Sequence, residues 1–322
     1  MNILVTGGAG RVGTHVISTL LARGDRVINL DLRESSHRDA RVTNIVGAFD
    51  DAEAVTRAMA SAEAVLHLGA FMSWIPADAD KLFAANVTGT HLLLRAAQAK
   101  KVSRFVFASS GEVYPETSPV YLPIDESHPT RPTSTYGMTK LLGEEMVQFF
   151  ARAYGLATVI LRFSHTQDAS ELLDPTSFFS GPRFYLKARI RQQQAFGNLA
   201  IVEALKPFDD GAEKHLISRG RDGEYFRMPI SDARDIAAGV IAALDSERAI
   251  GQVMNLGTEE SIRFDQAVAI LQRHTGLPAV EVVLPSPAVN YAASRARAIE
   301  ILGVRPQWTF ERMVADAVAR SR

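Results

Sequence analysis

The sequence contains no cysteine among its 322 residues. Disulfide bonds, thiolate catalysis and cysteine-ligated metal sites are therefore excluded. Eight histidines are present, but they are scattered without the paired spacing that a metal site needs. We therefore expect no metal.

The chain also lacks an excess of charge of either sign. It has 35 Lys and Arg against 36 Asp and Glu, a formal net charge of -1, so we expect no nucleic-acid partner. The first predicted strand begins at Asn2 without a charged or cleavable apolar segment before it, and no apolar run reaches membrane-spanning length. We expect a cytoplasmic protein without membrane attachment.

Apolar runs alternate with segments of helical periodicity through the first half of the chain, which is 47% hydrophobic overall. The strand runs are apolar on both faces, which is typical of a parallel sheet covered by helices. The pattern therefore predicts an α/β fold with a doubly wound parallel sheet of the Rossmann type. Predicted strands cover residues 3–5, 27–30, 42–46, 64–68, 105–108 and 157–161, and predicted helices cover 51–62, 81–100 and 136–154.

The organisation changes after Arg162. Residues 164–229 are rich in Pro, Gly, Phe and charge, too long for a connecting loop and too apolar for disorder, with one helix predicted over 183–196. We predict a Rossmann domain of residues 1–163, to which residues from about 230 to 257 also contribute a helix (236–244) and a strand (253–256). Residues 164–229 and 258–322 are predicted to form a smaller C-terminal α+β cap over the carboxyl ends of the strands.

A glycine-rich turn follows the first strand, with Gly7, Gly10 and Gly13 leading into a helix. Glycines let bare backbone approach a pyrophosphate, and the helix start directs its N–H groups at the anion. Asp31 ends the second strand, about twenty residues on, where a carboxylate meets the ribose of a dinucleotide. This carboxylate favours NAD over NADP, although Arg33 is a candidate partner for a 2′-phosphate.

A second group of residues has the spacing of a catalytic site. Tyr136 and Lys140 are four positions apart, which places them on one face of a helix. An ammonium beside a phenol favours the phenolate, so Lys140 can tune Tyr136 as an acid or base. Ser110 lies where a buried strand opens into small polar residues, the end of a doubly wound sheet where ligands bind. It is a candidate to polarise the same substrate oxygen.

These motifs together resemble the extended short-chain dehydrogenases/reductases, and most closely the NAD-dependent epimerase/dehydratase family of sugar-nucleotide enzymes. The resemblance spans nearly the whole chain. It is carried by residues 6–13, 67–70, 86–90, 109–114, 136–144, 255–257, 302–303 and 308–309.

The resemblance implies a tightly held NAD that takes a hydride from a sugar carbon and leaves a keto intermediate. Tyr136 would be the base, Ser110 the polarising hydroxyl, and Lys140 the tuner and a ribose ligand. The implied cofactor contacts are Gly7, Gly10, Arg11, Val12, Gly13, Asp31, Leu32, Ala48, Phe49, Leu68, Gly69, Ala70, Asn86, Ala108, Tyr136 and Lys140.

Glu112 stands where decarboxylases and 4,6-dehydratases of the family carry a second acid or base. Dehydratases usually place an Asp directly before it, whereas this chain has Gly111, which disfavours elimination. A catalytic Glu112 and one that only satisfies nearby backbone remain equally open. The predicted substrate contacts are Ser110, Gly111, Glu112, His165 and Arg183.

The specificity region departs from the family pattern. His165 replaces an Asn that often meets the sugar phosphate, and the segment from Asn290 to Arg295 offers no cation matching the Arg that relatives present to the nucleotide diphosphate. Cations on the predicted cap helix would suit an anionic substrate, or form a solvated face. They are Arg183, Lys187, Arg189 and Arg191. Phe71, Met72 and Trp74 either wall the nicotinamide pocket or pack under the cap.

Three functions remain open from the sequence. The first is an epimerase that returns the hydride to the opposite face of a sugar or sugar nucleotide, and the second is a net dehydrogenase or reductase of a sugar, sugar acid or polyol. The third is a non-catalytic NAD-sensing protein. The helices over 88–100 and 136–154 are those through which relatives form a four-helix interface, so we expect a homodimer.

Overall fold

The computed structural model describes residues 1–115 and 118–320. Its strands are β1 (Asn2–Thr6), β2 (Arg26–Asp31), β3 (Val42–Val46), β4 (Ala64–His67), β5 (Arg104–Ser110), β6 (Thr158–Phe163), β7 (His165–Gln167), β8 (His215–Arg219), β9 (Arg227–Asp232), β10 (Val253–Leu256), β11 (Ser261–Arg263) and β12 (Ala279–Val283). The main sheet is parallel, in the order β10-β6-β5-β4-β1-β2-β3. The predicted doubly wound α/β sheet is confirmed, and the strand order reverses between β1 and β4.

Helices cover both faces of this sheet because successive residues of a buried strand point to opposite sides. Ile3 of β1 packs in one cluster with residues of the helices Arg11–Ala22 and Ala233–Asp245, whereas Leu4 packs in another with residues of the helices Ala52–Met59, Thr90–Lys100 and Thr135–Tyr154. The helices are α1 (Arg11–Ala22), α2 (Ala52–Met59), α3 (Ala79–Phe83), α4 (Thr90–Lys100), α5 (Thr135–Tyr154), α6 (Ser180–Phe184), α7 (Leu186–Ala195), α8 (Leu199–Leu205), α9 (Ala233–Asp245), α10 (Phe264–Thr275), α11 (Ala296–Leu302) and α12 (Phe310–Arg320).

A third apolar cluster lies beyond the carboxyl ends of the main strands. It joins Phe184, Leu216, Phe264 and Phe310, which come from α6, β8, α10 and α12. Two small sheets frame it, one in the order β11-β9-β7 and one pairing β12 with β8. The C-terminal region is therefore α+β, as predicted, while the predicted domain boundaries stay a prediction.

The prediction of one continuous helix over residues 183–196 is wrong. Tyr185 is extended (φ -129°, ψ 129°) and divides it into α6 and α7. The Tyr185 ring is fully buried, and its hydroxyl donates to the Leu172 carbonyl oxygen at 3.1 Å. Tertiary packing of this ring outweighs the local helical periodicity. Among residues 1–115 and 118–320, no helix has the length and apolar character needed to cross a membrane.

Candidate active site

A cleft of about 510 Å³ lies at the carboxyl ends of the main strands, next to the reversal of strand order between β1 and β4. Open α/β sheets bind ligands at this position. The structure brings together here most of the site residues that the sequence predicts. These are Gly7, Gly10, Arg11, Val12, Gly13, Asp31, Leu68, Gly69, Ala70, Ala108, Ser110, Gly111, Glu112, Tyr136, Lys140, His165 and Arg183.

Bare backbone forms the floor of the cleft beside β1. Gly7 has a φ of +70°, and a Cβ added to it would lie 2.6 Å from the Cα of Gly69. The loops after β1 and β4 can therefore approach only because both residues lack side chains. Gly10 is the N-cap of α1 and supplies no side chain to the first-turn N–H groups, which suits an anion at that helix end.

Asp31 closes β2 beside the glycine loop. Its carboxylate accepts hydrogen bonds from the Ala9 N–H at 3.0 Å and the Arg33 N–H at 3.1 Å. Arg33 also lines the cleft, and its guanidinium donates to the Ala9 carbonyl oxygen at 3.3 Å. Leu32 is 70% exposed and does not line the cleft. Of these residues, Asp31 and Arg33 thus face the predicted ribose position.

Ser110 and Tyr136 meet inside the cleft. Ser110 ends β5, Tyr136 lies in the first turn of α5, and their hydroxyl groups are hydrogen-bonding partners. Tyr136 is 5% exposed. Its burial, and then the nearby Glu112 carboxylate, raise the pKa of the phenol, while the Ser110 hydrogen bond opposes this rise. The phenol therefore keeps its proton at neutral pH.

Lys140 lies one turn further along α5 and is also buried, with its Nζ atom 4.7 Å from the centre of the Phe107 ring. Burial lowers the pKa of Lys140 to about 7, and the Glu144 carboxylate acts in the opposite direction. The pKa of Tyr136 is shifted by burial of the phenol, by the Glu112 carboxylate and by the Ser110 hydrogen bond. Tuning of Tyr136 by Lys140 stays a prediction.

Buried Glu144 joins three elements around this pair. Its carboxylate accepts hydrogen bonds from Ser109 of β5 at 2.5 Å and from Arg162 of β6 at 2.9 and 2.6 Å. The carboxylate also favours the charged form of Lys140. Glu144 thereby positions the end of β5, which carries Ser110, against the helix that carries Tyr136.

Glu112 also supports this arrangement. Its carboxylate accepts hydrogen bonds from the Trp74 indole N–H at 3.1 Å and from the Ser134 hydroxyl at 2.6 Å. Ser134 is the N-cap of α5 and accepts from the Gly137 N–H at 2.9 Å. Glu112 therefore links the start of α5 to Trp74. It also lines the cleft, close enough to Tyr136 to affect the pKa of the phenol.

Aromatic rings wall the cap side of the cleft. The Trp74 ring lies 6.2 Å from Tyr136 and stacks on Phe178 at 5.9 Å. Met72 and Trp74 line the cleft as the sequence suggested, whereas Phe71 is not a lining residue. The Arg11 guanidinium lies 4.7 Å from the centre of the Phe179 ring, so the glycine loop itself contacts the cap.

Among the cap cations named from the sequence, Arg183 and Arg189 line the cleft and Lys187 and Arg191 do not. The Arg183 guanidinium donates to the Nδ1 atom of His165 at 2.9 Å. His165 therefore accepts through Nδ1, and both residues occupy the side of the cleft opposite the glycine loop.

Three other predicted cofactor residues lie outside the cleft lining. Phe49 packs edge-on against His67, and the amide of Asn86 bonds both to the backbone of Phe71, at 2.8 and 2.9 Å, and to Thr139 at 3.0 Å. Asn86 therefore holds the loop after β4 against α5. Ala48 precedes Phe49 and does not line the cleft.

Several lining residues were missed by the sequence analysis. The adjacent pair Phe178-Phe179 in a polar stretch was an available signal, since exposed aromatic residues often mark binding surfaces. The others carry no local signature, because they come from separate parts of the cap: α7 and its end, the strands β8 and β9, and the tail after β12. They include Gln192, Phe196, Ser218, Phe226, Met228 and Tyr291.

Comparison with known proteins identifies relatives along nearly the whole chain. A model of the NAD dependent epimerase/dehydratase family matches residues 3–257. A UDP-glucose 4-epimerase of Halalkalibacterium halodurans is 32% identical, with 98% of this chain and 94% of that protein covered. A UDP-glucose 4-epimerase of Streptomyces lividans is 30% identical, with 98% and 94% covered.

Solved structures show the same architecture. A short-chain dehydrogenase/reductase superfamily protein of Agrobacterium tumefaciens with bound NAD superposes with a TM-score of 0.95 at 50% identity, covering 100% of this chain and 97% of that chain. The UDP-glucose 4-epimerase of Thermotoga maritima with UDP-glucose has a TM-score of 0.78 at 24% identity, covering 99% and 98%. This second similarity is one of fold.

Proposed function

Because this chain belongs to the NAD-dependent epimerase/dehydratase family of extended short-chain dehydrogenases/reductases, we propose that it is an epimerase-type oxidoreductase acting on a sugar or sugar nucleotide. The observation that carries the proposal is that hydrogen-bonded Ser110 and Tyr136 line the same cleft as Lys140 and the glycine loop. The family is NAD dependent, in agreement with the cofactor predicted from the motifs.

The residues of the cleft fit NAD in two respects. The loop from Gly7 to Gly13 presents backbone, with no room for a Cβ at Gly7, and would hold the pyrophosphate against the start of α1. The Asp31 carboxylate, fixed by two backbone N–H groups, would accept hydrogen bonds from the adenosine ribose and repel a 2′-phosphate.

Tyr136 and Ser110 would act on the substrate oxygen by proton transfer and hydrogen bonding. Bound NAD supplies the acceptor and later the donor of a hydride. Acting as the phenolate, which a protonated Lys140 would favour, Tyr136 would take the proton of the substrate hydroxyl as its carbon becomes a carbonyl, and would return the proton when that carbonyl is reduced on its other face. Ser110 would donate a hydrogen bond to the same oxygen. Because the Tyr136 side chain is buried, a hydrogen bond to its hydroxyl would be strengthened.

Two contacts support an epimerase over the other reactions of the family. Arg11 pairs with Glu171 at 2.6 Å and His15 with Asp168 at 3.0 Å, so the cap is tied to the helix beside the glycine loop. A cleft closed in this way favours a cofactor that stays bound through turnover.

At Gly111, a Cβ would lie 2.6 Å from the Tyr291 hydroxyl, which leaves no room for the Asp of a dehydratase.

A net dehydrogenase or reductase of a sugar, sugar acid or polyol is the second candidate. The position of Arg295 favours this candidate. Arg295 ends the tail segment that begins at Asn290; it is 2% exposed and does not line the cleft. The tail therefore presents Tyr291 rather than a cation to the substrate. This arrangement suits a substrate without a nucleotide diphosphate.

The test combines absorbance at the NADH band with product analysis, using UDP-glucose, UDP-glucuronate, D-glucose and D-glucuronate as substrates. An epimerase converts a substrate to its epimer without accumulating NADH, and Tyr136→Phe should slow this about 100- to 10,000-fold, the usual contribution of a general acid–base. Tyr121→Phe, which changes an exposed tyrosine outside the cleft lining, should leave the rate unchanged.

Steady accumulation of NADH with an oxidised product would replace the first candidate by the second. Full turnover by the Tyr136→Phe enzyme would remove Tyr136 from the chemistry and contradict both candidates. Binding of NAD without conversion of any sugar in a broad panel would leave the non-catalytic sensor.

We also propose a homodimer through α4 and α5. Their outer surface carries Phe149, which is 49% exposed, and Tyr154, which is 54% exposed. Phe149, Phe150 and Tyr154 contact one another edge-on or tilted, and form an aromatic patch beside His91. An exposed patch of this kind marks a protein interface.

A further inference from the structure

Arg189 places a guanidinium group in the cap wall of the cleft, one turn before Gln192 on α7. Its Nη1 atom donates to the Gln192 side-chain oxygen at 2.9 Å. Its Nε atom is buried and has no hydrogen-bond partner within residues 1–115 and 118–320. Over the same residues, no carboxylate lies within ion-pair distance of Arg189, whereas Arg162 and Arg234 each have a carboxylate partner.

The surroundings of this guanidinium are unfavourable for an unpaired charge. Burial alone lowers the pKa of Arg189 to about 10, and no nearby opposite charge offsets it. Buried charges in proteins are normally paired and hydrogen-bonded, because desolvation costs several kcal/mol per ion. Arg189 as a residue is intermediate in exposure and lines the cleft, and its guanidinium has no carboxylate partner among the described residues.

The cleft is the open side of Arg189. Phe196, Phe226 and Met228 line the same cleft, as does the buried Ser218. Apolar walls lower the local dielectric and strengthen an ion pair formed there. A guanidinium also offers two parallel N–H donors, which match a carboxylate or phosphate.

We infer that the substrate carries a carboxylate or phosphate group and that Arg189, with Gln192 beside it, binds that group at the cap end of the cleft. This inference rests on the proposed function, since it assumes that the sugar carbon lies at Ser110 and Tyr136. It makes Arg189 the residue that selects anionic over neutral substrates.

The test measures binding to the NAD-loaded protein by isothermal titration calorimetry. The probes are D-glucuronate, glucose 6-phosphate and UDP-glucose, with neutral D-glucose as reference. At least one anionic probe should bind 10-fold or more tightly than D-glucose. Arg189→Gln should abolish this preference, Arg189→Lys should retain part of it, and Arg191→Gln, which changes an exposed arginine on the same helix, should retain all of it.

The anionic probes separate the sources of the charge. Preference for D-glucuronate assigns Arg189 to a sugar carboxylate, preference for glucose 6-phosphate to a phosphate monoester, and preference for UDP-glucose to a diphosphate. Equal binding of all four probes by the wild type, or an unchanged preference in Arg189→Gln, would overturn the inference.

Chemical modification tests the same point if the Arg189→Gln variant does not fold. Phenylglyoxal modifies arginine side chains, and the adducts on Arg189 and Arg191 of the wild type are quantified by mass spectrometry. The preferred anionic probe should protect Arg189 and not Arg191, and lack of protection would overturn the inference. Failure of the proposed function would be distinct, because the probes would bind through Arg189 without being converted.

Discussion

The amino group of buried Lys140 lies 4.7 Å from the centre of the Phe107 ring. Its pKa is lowered to about 7. Burial disfavours the charged form of a lysine, and here it outweighs the opposing effect of Glu144. Burial of this lysine therefore reduces the stability of the protein without cofactor.

Lys140→Met should stabilise the cofactor-free protein at and below pH 7, by on the order of a few kcal/mol, since each pKa unit corresponds to about 1.4 kcal/mol. An unfolded lysine keeps its proton up to about pH 10.5, whereas the folded Lys140 loses it near pH 7. The stability of the wild type therefore rises between these pH values, and the advantage of the variant shrinks.

Urea unfolding at pH 6 and at pH 9.5 measures this difference, with Lys206→Met, at an exposed lysine, as the control. A constant difference between Lys140→Met and wild type at both pH values would show that Lys140 titrates normally.

At the scale of elements, the start of α1 and the turn after β7 are joined across the cleft by charged side chains. Arg11 donates from Nε to both oxygens of Glu171, at 2.7 and 2.6 Å, and the Glu171 carboxylate also accepts from the Asp168 N–H at 3.1 Å. Opening the cap over the glycine loop requires separation of this pair. The glycine loop predicted to hold the cofactor would therefore also take part in controlling its release.

Glu171→Gln should increase the dissociation rate of NAD roughly tenfold, since a charge-assisted hydrogen bond contributes about 1.5–3 kcal/mol. Stopped-flow displacement of bound NADH, followed by its fluorescence, measures the rate. Glu203→Gln, which changes an exposed glutamate of α8, should have the wild-type rate. An unchanged rate in Glu171→Gln, with an unchanged melting temperature, would show that the pair does not retain the cofactor.

For the whole molecule, the proposed homodimer gives the exposed aromatic patch of α4 and α5 a partner. Phe149→Arg should convert the dimer to a monomer, because it places a charge at the centre of an apolar interface. Size-exclusion chromatography with light scattering at micromolar concentration measures the mass. Leu199→Arg, at a 66% exposed leucine of α8, should remain dimeric. A wild-type monomer would contradict the homodimer.

The sequence predicted the main sheet well because its information is local. Strands such as β1 and β4 are apolar on both faces, and the glycines before α1 and the spacing of Tyr136 and Lys140 are fixed by positions within a few residues. The cap was predicted only in outline, because β8 and β9 lie within a stretch of mixed composition and the α6–α7 break depends on the burial of Tyr185. Asn86 and Phe49 contact neighbouring loops and lie outside the cleft lining, and their contact with the cofactor stays a prediction.

By itself, the sequence determined that the chain forms a dinucleotide-type α/β fold and which residue types could perform its chemistry, because glycine spacing, helical spacing and apolar runs act over short distances. Only the tertiary structure decided which of these residues share one cleft. It brought Glu112 to Trp74 and Ser134, put Arg189 but not Arg191 in the cleft lining, and left Leu32 and Arg295 outside that lining. These outcomes depend on burial and long-range packing, which sequence spacing does not specify.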